Sequence, residues 1–170
     1  MILTEKEIRS KRIISGHIGD EQFQPAGVDL TLKEVYSYDT PGKIDYDNSE
    51  RKISDCIPLN FSETGELYLK KGAYKIVVNE VVSIPTDCAA MALPRSSLVR
   101  SGATISSALW DPGYKGRSEM MLIVHNDKGI TLKRSARVAQ IVFIKLSSEA
   151  KAYEGKYQNE NIDEEIEFER

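Results

Sequence analysis

The sequence has few of the features that mark membrane-spanning or secreted proteins. No run of apolar residues in the 170-residue chain approaches the roughly 20 that a helix needs to cross a bilayer. Residues 1–7 lack the basic region and following apolar run of a secretory signal. We therefore expect a cytoplasmic protein that does not use a membrane as its partner.

Cysteine and histidine are both scarce. The chain has two cysteines, Cys56 and Cys88, and two histidines, His17 and His125, all far apart in sequence. Such a set cannot supply the closely spaced ligands of a Cys/His zinc site. We expect no metal held by protein ligands alone, and we interpret the cysteines as small, reduced core residues.

Positive charge is also limited. The formal net charge is -3, and residues 159–170 carry six acids and one base, so the remainder has a charge of only +2. A nucleic-acid surface would need many more cations, because affinity comes largely from phosphate neutralisation. We expect a small anion as partner and no nucleic acid.

The length suits one domain, predicted at 1–158, followed by an acidic tail at 159–170 that could be a mobile arm.

Hydrophobic patterning predicts a mainly β protein that begins with one short helix. Thr4 and Glu7 have capping-box spacing, which predicts a helix to about Arg12. Short segments that alternate in polarity or are rich in apolar and β-branched residues predict strands at 28–33, 74–78, 88–93, 103–108, 120–124, 130–132 and 138–144. Helices of about 10–15 residues between them are missing, so we expect a barrel or sandwich instead of a parallel α/β sheet. The polar segment 39–55 predicts a long surface loop.

A basic, hydroxyl-rich segment follows the predicted strand at 88–93. Arg95, Ser96, Ser97 and Arg100 lie within seven residues, 94–100. Guanidinium forks and hydroxyl groups together suit phosphate oxygens, which predicts an anion-binding cradle. The alternative is a helix capped by Ser96 or Ser97 with solvated arginines.

A tight turn at 110–117 carries a carboxylate and an aromatic ring. Asp111 precedes Pro112 and Gly113, and Tyr114 follows them. A rigidly held carboxylate can deprotonate a water for attack on phosphorus, so Asp111 is a candidate general base. Asp-Pro-Gly also starts ordinary turns, and that is the alternative for this segment.

Two further polar residues interrupt apolar segments. Asp29 lies between Val28 and Leu30, where it could simply form the polar face of a strand. Gln140 lies among apolar neighbours in the segment 137–142, where a buried amide would need partners or a ligand.

Taken together and in this order, these segments resemble the deoxyuridine triphosphatase and deoxycytidine triphosphate deaminase superfamily. The first 8 residues and the Gly-Lys-Tyr-Gln segment at 155–158 are similar to its deaminase branch. The four motifs of the resemblance lie at 26–30, 94–98, 110–116 and 137–141.

The resemblance implies a distorted antiparallel β-barrel of the dUTPase-like, β-clip type. It also implies a homotrimer with active sites at the subunit interfaces. The substrate would be a deoxynucleoside triphosphate, with Mg²⁺ carried mainly by its phosphates. In such a site Asp111 would activate water and Tyr114 would lie against the deoxyribose. The remaining residues would bind the phosphates or close over the nucleotide: Arg95, Ser96, Ser97, Arg100, Gln140, Lys156 and Tyr157.

The two branches of the superfamily differ in their reaction. Deaminases carry a glutamate inside the strand after the Asp-Pro-Gly turn, whereas 120–124 of this chain is entirely apolar. Glu119, just before that segment, is the nearest acid. The chain also lacks the glycine-rich C-terminal motif of ordinary trimeric deoxyuridine triphosphatases, so 156–158 would close over the phosphates. We therefore expect hydrolysis of dUTP to dUMP and pyrophosphate, with dCTP deamination or non-catalytic nucleotide sensing as the alternatives.

Overall fold

A computed structural model describes residues 1–162, and the rest of the predicted acidic tail, 163–170, lies outside the described residues. The helices are α1 (Glu5–Ser10) and α2 (Ser96–Arg100), with a 3-10 turn at Asp20–Gln22. The strands are β1 (Ile14–Ser15), β2 (Phe23–Gln24), β3 (Gly27–Tyr38), β4 (Cys56–Leu59), β5 (Glu66–Leu69), β6 (Gly72–Val78), β7 (Val81–Ser83), β8 (Cys88–Pro94), β9 (Ala103–Ser106), β10 (Lys115–Gly116), β11 (Glu119–Val124), β12 (Ile130–Lys133) and β13 (Arg137–Lys145).

The strands form a nearly closed, distorted antiparallel barrel. The large sheet has the order β8-β13-β3-β6-β11-β9, and β2 and β4 both pair with β3. Its two end strands, β8 and β9, lie beside each other, which nearly closes the barrel. Two smaller sheets, β1-β7-β10 and β12-β5, complete the fold. The predicted mainly β barrel is confirmed.

Alternation along the strands explains which face each strand buries. In β11, Met120, Leu122 and Val124 point into the core, while Glu119 and the residues at alternate positions point outward. The predicted helix is also present, and the backbone N–H and hydroxyl of Thr4 both donate to Oε2 of Glu7 at 2.8 Å. The sequence pattern therefore identifies the helix start, whereas the core face of β11 is visible only in the structure, because residues 120–124 are all apolar.

Strand β3 is buried on both faces over its first half. Its outer face is covered by a polar network around Glu80, a carboxylate that is fully buried. Glu80 accepts hydrogen bonds from Gln22 Nε2 at 2.7 Å and from the backbone N–H of Thr31 at 2.9 Å. Burial, the largest cause, raises the pKa of Glu80 above its ordinary value, and these donors oppose that shift.

The remaining expectations concern single features of the chain. Both Cys56 and Cys88 are free thiols, the first partly buried and the second buried. Residues 39–55 run between β3 and β4 and fold back on themselves through a bridge between Lys43 and Lys52. Within residues 1–162, no helix has both the length and the apolar character needed to cross a membrane.

Candidate active site

The turn after Trp110 is held rigidly against the barrel. Trp110 is buried and forms a bridge with Ala90 of β8, with backbone hydrogen bonds in both directions. The backbone N–H of Tyr114 donates to the carbonyl of Asp111 at 3.2 Å, and Gly113 takes a φ of +78°. That backbone conformation favours glycine, which explains the Pro-Gly pair at the bend.

Tyr114 is packed deep inside this turn. Its side chain is 6% exposed, and its hydroxyl lies 3.0 Å from Oγ of Ser118 and donates to Oε1 of Glu160 at 2.7 Å. The ring of Tyr153 packs edge-on against it at 5.8 Å between centroids. Burial and the contact with Glu160 raise the pKa of Tyr114, so its hydroxyl stays protonated and serves as a hydrogen-bond donor.

The turn borders an open cavity of about 210 Å³, which we call the turn cavity. Asp111 is exposed to solvent at its mouth, and Tyr114 contributes part of its wall. Tyr157 also lines the turn cavity, as do the carboxylates Glu119 and Glu160. The structure therefore brings together four of the predicted or alternative site residues: Asp111, Tyr114, Glu119 and Tyr157.

The C-terminal segment 150–161 covers the turn. Backbone N–H groups of Tyr153 and Asn159 donate to the carbonyls of Pro112 and Lys115, both at 2.7 Å. Gln158 donates through its side chain to the carbonyl of Gly113 at 3.1 Å. This docking places Tyr157 at the turn cavity, whereas its neighbour Lys156 projects into solvent.

A second group of predicted residues gathers where β3, β13 and β8 meet, and we call it the arginine cluster (Asp29, Arg95, Arg137 and Gln140). Asp29 Oδ2 lies 3.1 Å from Arg95 Nε and 3.4 Å from Arg137 Nη1. The Asp29 side chain is 3% exposed, against 29% and 36% for the two arginines. Burial raises the pKa of Asp29, and the two guanidinium groups oppose that shift. Asp29 is thus a buried anchor for two arginines and does not form a solvent-facing strand surface.

The other predicted phosphate contacts surround this cluster. Ser96, Ser97 and Arg100 lie on α2, immediately after Arg95, and all three are exposed. Gln140 pairs with Asp29 across the sheet and is half-buried. Near it, Gly27 has a φ of +149°, and a Cβ at that position would lie 2.4 Å from the carbonyl oxygen of Ile141. Only glycine lets β3 and β13 approach this closely.

Within one chain, the arginine cluster and Asp111 are well separated. Ala90 of β8 bridges Trp110, whereas Arg95 follows the end of the same strand. At about 3.3 Å per residue, the segment from Ala90 to Arg95 spans roughly 16 Å. None of Arg95, Ser96, Ser97, Arg100 and Gln140 lines the turn cavity of this chain.

Glu119 has an environment that the sequence did not predict. Its Oε1 forms an ion pair with Nζ of Lys75 at 2.9 Å, and Lys75 lies on the neighbouring strand β6. These two side chains line a second cavity of about 380 Å³, which we call the lysine cavity. Glu119 and Ala108 border both cavities. Ser118, Tyr153 and Glu160 were likewise missed, because their role depends on contacts that leave no local sequence pattern.

The described residues offer little to a metal ion. Within residues 1–162, no three side chains from His, Cys, Asp and Glu lie close enough together to hold one. The buried Asp29 carboxylate is already engaged by two arginines.

Comparison with known proteins gives a consistent assignment. Residues 3–146 match the family described as dCTP deaminase-like. The chain is 50% identical over 144 residues to a probable deoxyuridine 5'-triphosphate nucleotidohydrolase of Methanococcoides burtonii, covering 84% of this chain and 85% of that protein. It is 40% identical over 143 residues to the deoxyuridine 5'-triphosphate nucleotidohydrolase of Methanocaldococcus jannaschii, covering 84% of this chain and 90% of that protein.

Among solved structures, the fold is similar to 2'-deoxycytidine 5'-triphosphate deaminase from Agrobacterium tumefaciens. The TM-score is 0.61 at 22% identity, and the match covers 84% of this chain but 47% of that one, so the chain spans about half the length of that deaminase. The structural likeness agrees with the family match in sequence. The chain belongs to the dCTP deaminase-like family.

Proposed function

We propose that the protein is a dUTP diphosphatase, which hydrolyses dUTP to dUMP and pyrophosphate. The observation that carries this proposal is the turn cavity, which combines an exposed carboxylate, Asp111, with the Tyr114 ring beside it. The names of the relatives that are 40% to 50% identical support the same reaction.

In the proposed mechanism, Asp111 is the general base. Its carboxylate accepts a proton from a water that attacks the α-phosphorus, and pyrophosphate leaves. The rigid turn supports this role, because the backbone contacts of Trp110 and Tyr114 fix the position of Asp111. Tyr114 lies against the deoxyribose, where a ribose 2'-hydroxyl would not fit. Tyr157 covers the nucleotide from the C-terminal segment, and the neighbouring Lys156 approaches the phosphates.

The arginine cluster and α2 are the proposed phosphate site. Arg95 and Arg100 provide guanidinium groups, and Ser96 and Ser97 provide exposed hydroxyls at the start of α2. Gln140 adds an amide from β13. Mg²⁺ would arrive on the triphosphate, since magnesium often keeps phosphate and water ligands and needs few protein carboxylates.

We further propose that the active form is a homotrimer with sites shared between subunits. The separation of roughly 16 Å along β8 between Ala90 and Arg95 supports this, because Asp111 of one chain would need the phosphate site of another. Between those two ends, β8 exposes Met91 and Leu93, with 40% and 53% of their surface accessible. Sedimentation tests the oligomer, and a fully active monomer would exclude the shared site.

The free thiols fit a reducing compartment, and we place the protein in the cytoplasm. Fractionation of cells that produce the protein tests this location directly.

Incubation with dUTP and with dCTP, each with Mg²⁺, tests the reaction. Pyrophosphate and dUMP from dUTP support the proposal, ammonia from dCTP indicates a deaminase, and binding without turnover indicates a sensor. Asp111→Asn should lower turnover by about 100-fold or more while leaving nucleotide affinity near normal. Near-normal turnover in that variant would remove Asp111 from the mechanism.

A further inference from the structure

The outer face of the barrel carries an ordered row of side chains next to the turn cavity. In the sheet, Met121 of β11 lies opposite both Lys75 of β6 and Ser106 of β9. Tyr36 of β3 lies opposite Lys75 on its other side. Directly opposed residues project from the same face of a sheet, so these side chains form one continuous surface.

Lys75, Met121 and Ser106 of this surface form the floor of the lysine cavity. Its walls come from Ile53 and Ser54, at the end of the excursion between β3 and β4, and from Ser107 and Ala108 before the Asp111 turn. The volume of about 380 Å³ falls within the range of small-molecule sites. Glu119 and Ala108 border both cavities, so the lysine cavity lies directly beside the turn cavity.

A donor and an acceptor stand side by side at the junction of the two cavities. Lys75 Nζ and Glu119 Oε1 are 2.9 Å apart, and the ring of Tyr36 lies 4.6 Å from the same ammonium group. Both side chains are partly accessible, at 24% and 37%. The pair therefore presents a cationic donor directly beside a carboxylate acceptor.

We propose that Lys75 and Glu119 read the base edge of the nucleotide and select uracil over cytosine. Uracil places a donor, N3–H, beside an acceptor, O4, which match Glu119 and Lys75 respectively. Cytosine reverses both groups: its N3 is an acceptor that faces the carboxylate, and its 4-amino group is a donor that faces the ammonium. The inference rests on the proposed hydrolysis of dUTP and assigns Glu119 to base selection instead of deamination.

The expected preference for uracil over cytosine follows from two contacts to the base edge, one from Glu119 and one from Lys75. A good bidentate contact to a base edge gives about 1–3 kcal/mol of discrimination, or roughly 5–150-fold. Glu119→Gln replaces a pure acceptor with an amide that can also donate to cytosine N3. Lys75→Met removes the donor to O4 but keeps a long apolar stem over the Tyr36 ring.

The test measures the affinity of dUMP and dCMP by calorimetry, alongside hydrolysis of dUTP and dCTP. Both variants, Glu119→Gln and Lys75→Met, should lower the dUMP/dCMP affinity ratio by about tenfold, and the wild type should bind N3-methyl-dUMP no better than dCMP. Lys71→Met is the matched control, because Lys71 forms a comparable ion pair with Asp127 at 2.7 Å outside both cavities. The dUMP/dCMP affinity ratio of Lys71→Met should equal that of the wild type.

The outcomes separate this inference from the proposed function. If the wild type releases no pyrophosphate from dUTP, the proposed hydrolysis fails, but the ratio of monophosphate affinities still decides whether Lys75 and Glu119 read the base. An unchanged ratio in both variants, or a parallel loss of affinity for both monophosphates, overturns the inference. The inference is also overturned if the wild type deaminates dCTP and Glu119→Gln abolishes that deamination.

Discussion

Replacement of Asp29 by asparagine tests whether the arginine cluster is organised by one buried carboxylate. The substitution preserves shape but removes the charge that faces Arg95 at 3.1 Å and Arg137 at 3.4 Å. Hydrogen bonds to charged groups contribute about 1.5–3 kcal/mol. Because both arginines are partly exposed and burial already disfavours the Asp29 charge, we expect a loss of at most about 1.5 kcal/mol of unfolding free energy, or a Tm lower by at most about 3–6 °C.

The same variant should weaken phosphate binding selectively. With Arg95 no longer held in place, KM for dUTP and the inhibition constant for pyrophosphate should both rise about tenfold, which is about 1.4 kcal/mol. The binding of deoxyuridine, which has no phosphate, should not change. Steady-state kinetics with pyrophosphate as inhibitor, together with thermal unfolding, measure both effects. A lower Tm with unaltered KM and pyrophosphate inhibition would refute the positioning role and leave Asp29 a purely structural residue.

Three other substitutions have defined expectations. Gly27→Ala should lower the unfolding free energy by about 2 kcal/mol or more, because the new Cβ would lie 2.4 Å from the Ile141 carbonyl oxygen. A denaturant titration measures this loss, and an unchanged midpoint would contradict the close approach of β3 to β13. Glu80→Gln should lower the unfolding free energy by about 1–3 kcal/mol, because an amide N–H would face the donors that now bind the carboxylate. Burial raises the pKa of Glu80, so the contribution of this group to stability is greatest below its ordinary pKa of 4.5 and falls as pH rises through the native pKa. The advantage of the wild type over the variant should therefore be smaller at pH 8 than at pH 4.5. Tyr114→Ala should narrow the ratio of kcat/KM for dUTP to that for UTP by about 5–150-fold, and an unchanged ratio would leave the ring only a packing role.

The strand pattern was predictable because it is local. Short runs rich in apolar and β-branched residues at 120–124 and 138–144 identify β11 and β13, and Thr4 with Glu7 identifies the start of α1. Six strands were not predicted: β4, β5 and β7, and the two-residue strands β1, β2 and β10. A segment of two to four residues has little or no period to detect.

The site was only partly predictable, because its partners are distant in sequence. Asp29 and Arg137 are 108 residues apart, and Glu119 and Lys75 are 44 apart. No local sequence pattern marks any of these four side chains. Their contacts arise from strand pairing, which the local sequence does not predict. The turn at Asp111 was found because Asp-Pro-Gly-Tyr carries its own geometry.

The docking of 150–161 over the Asp111 turn has a consequence for how the site responds to proteolysis. The last strand of the barrel, β13, ends at Lys145, so the covering segment lies outside the barrel sheets. Backbone hydrogen bonds from Tyr153 and Asn159 attach it to the turn. Cleavage after Lys145 would therefore keep the barrel strands but leave the Tyr114 ring uncovered.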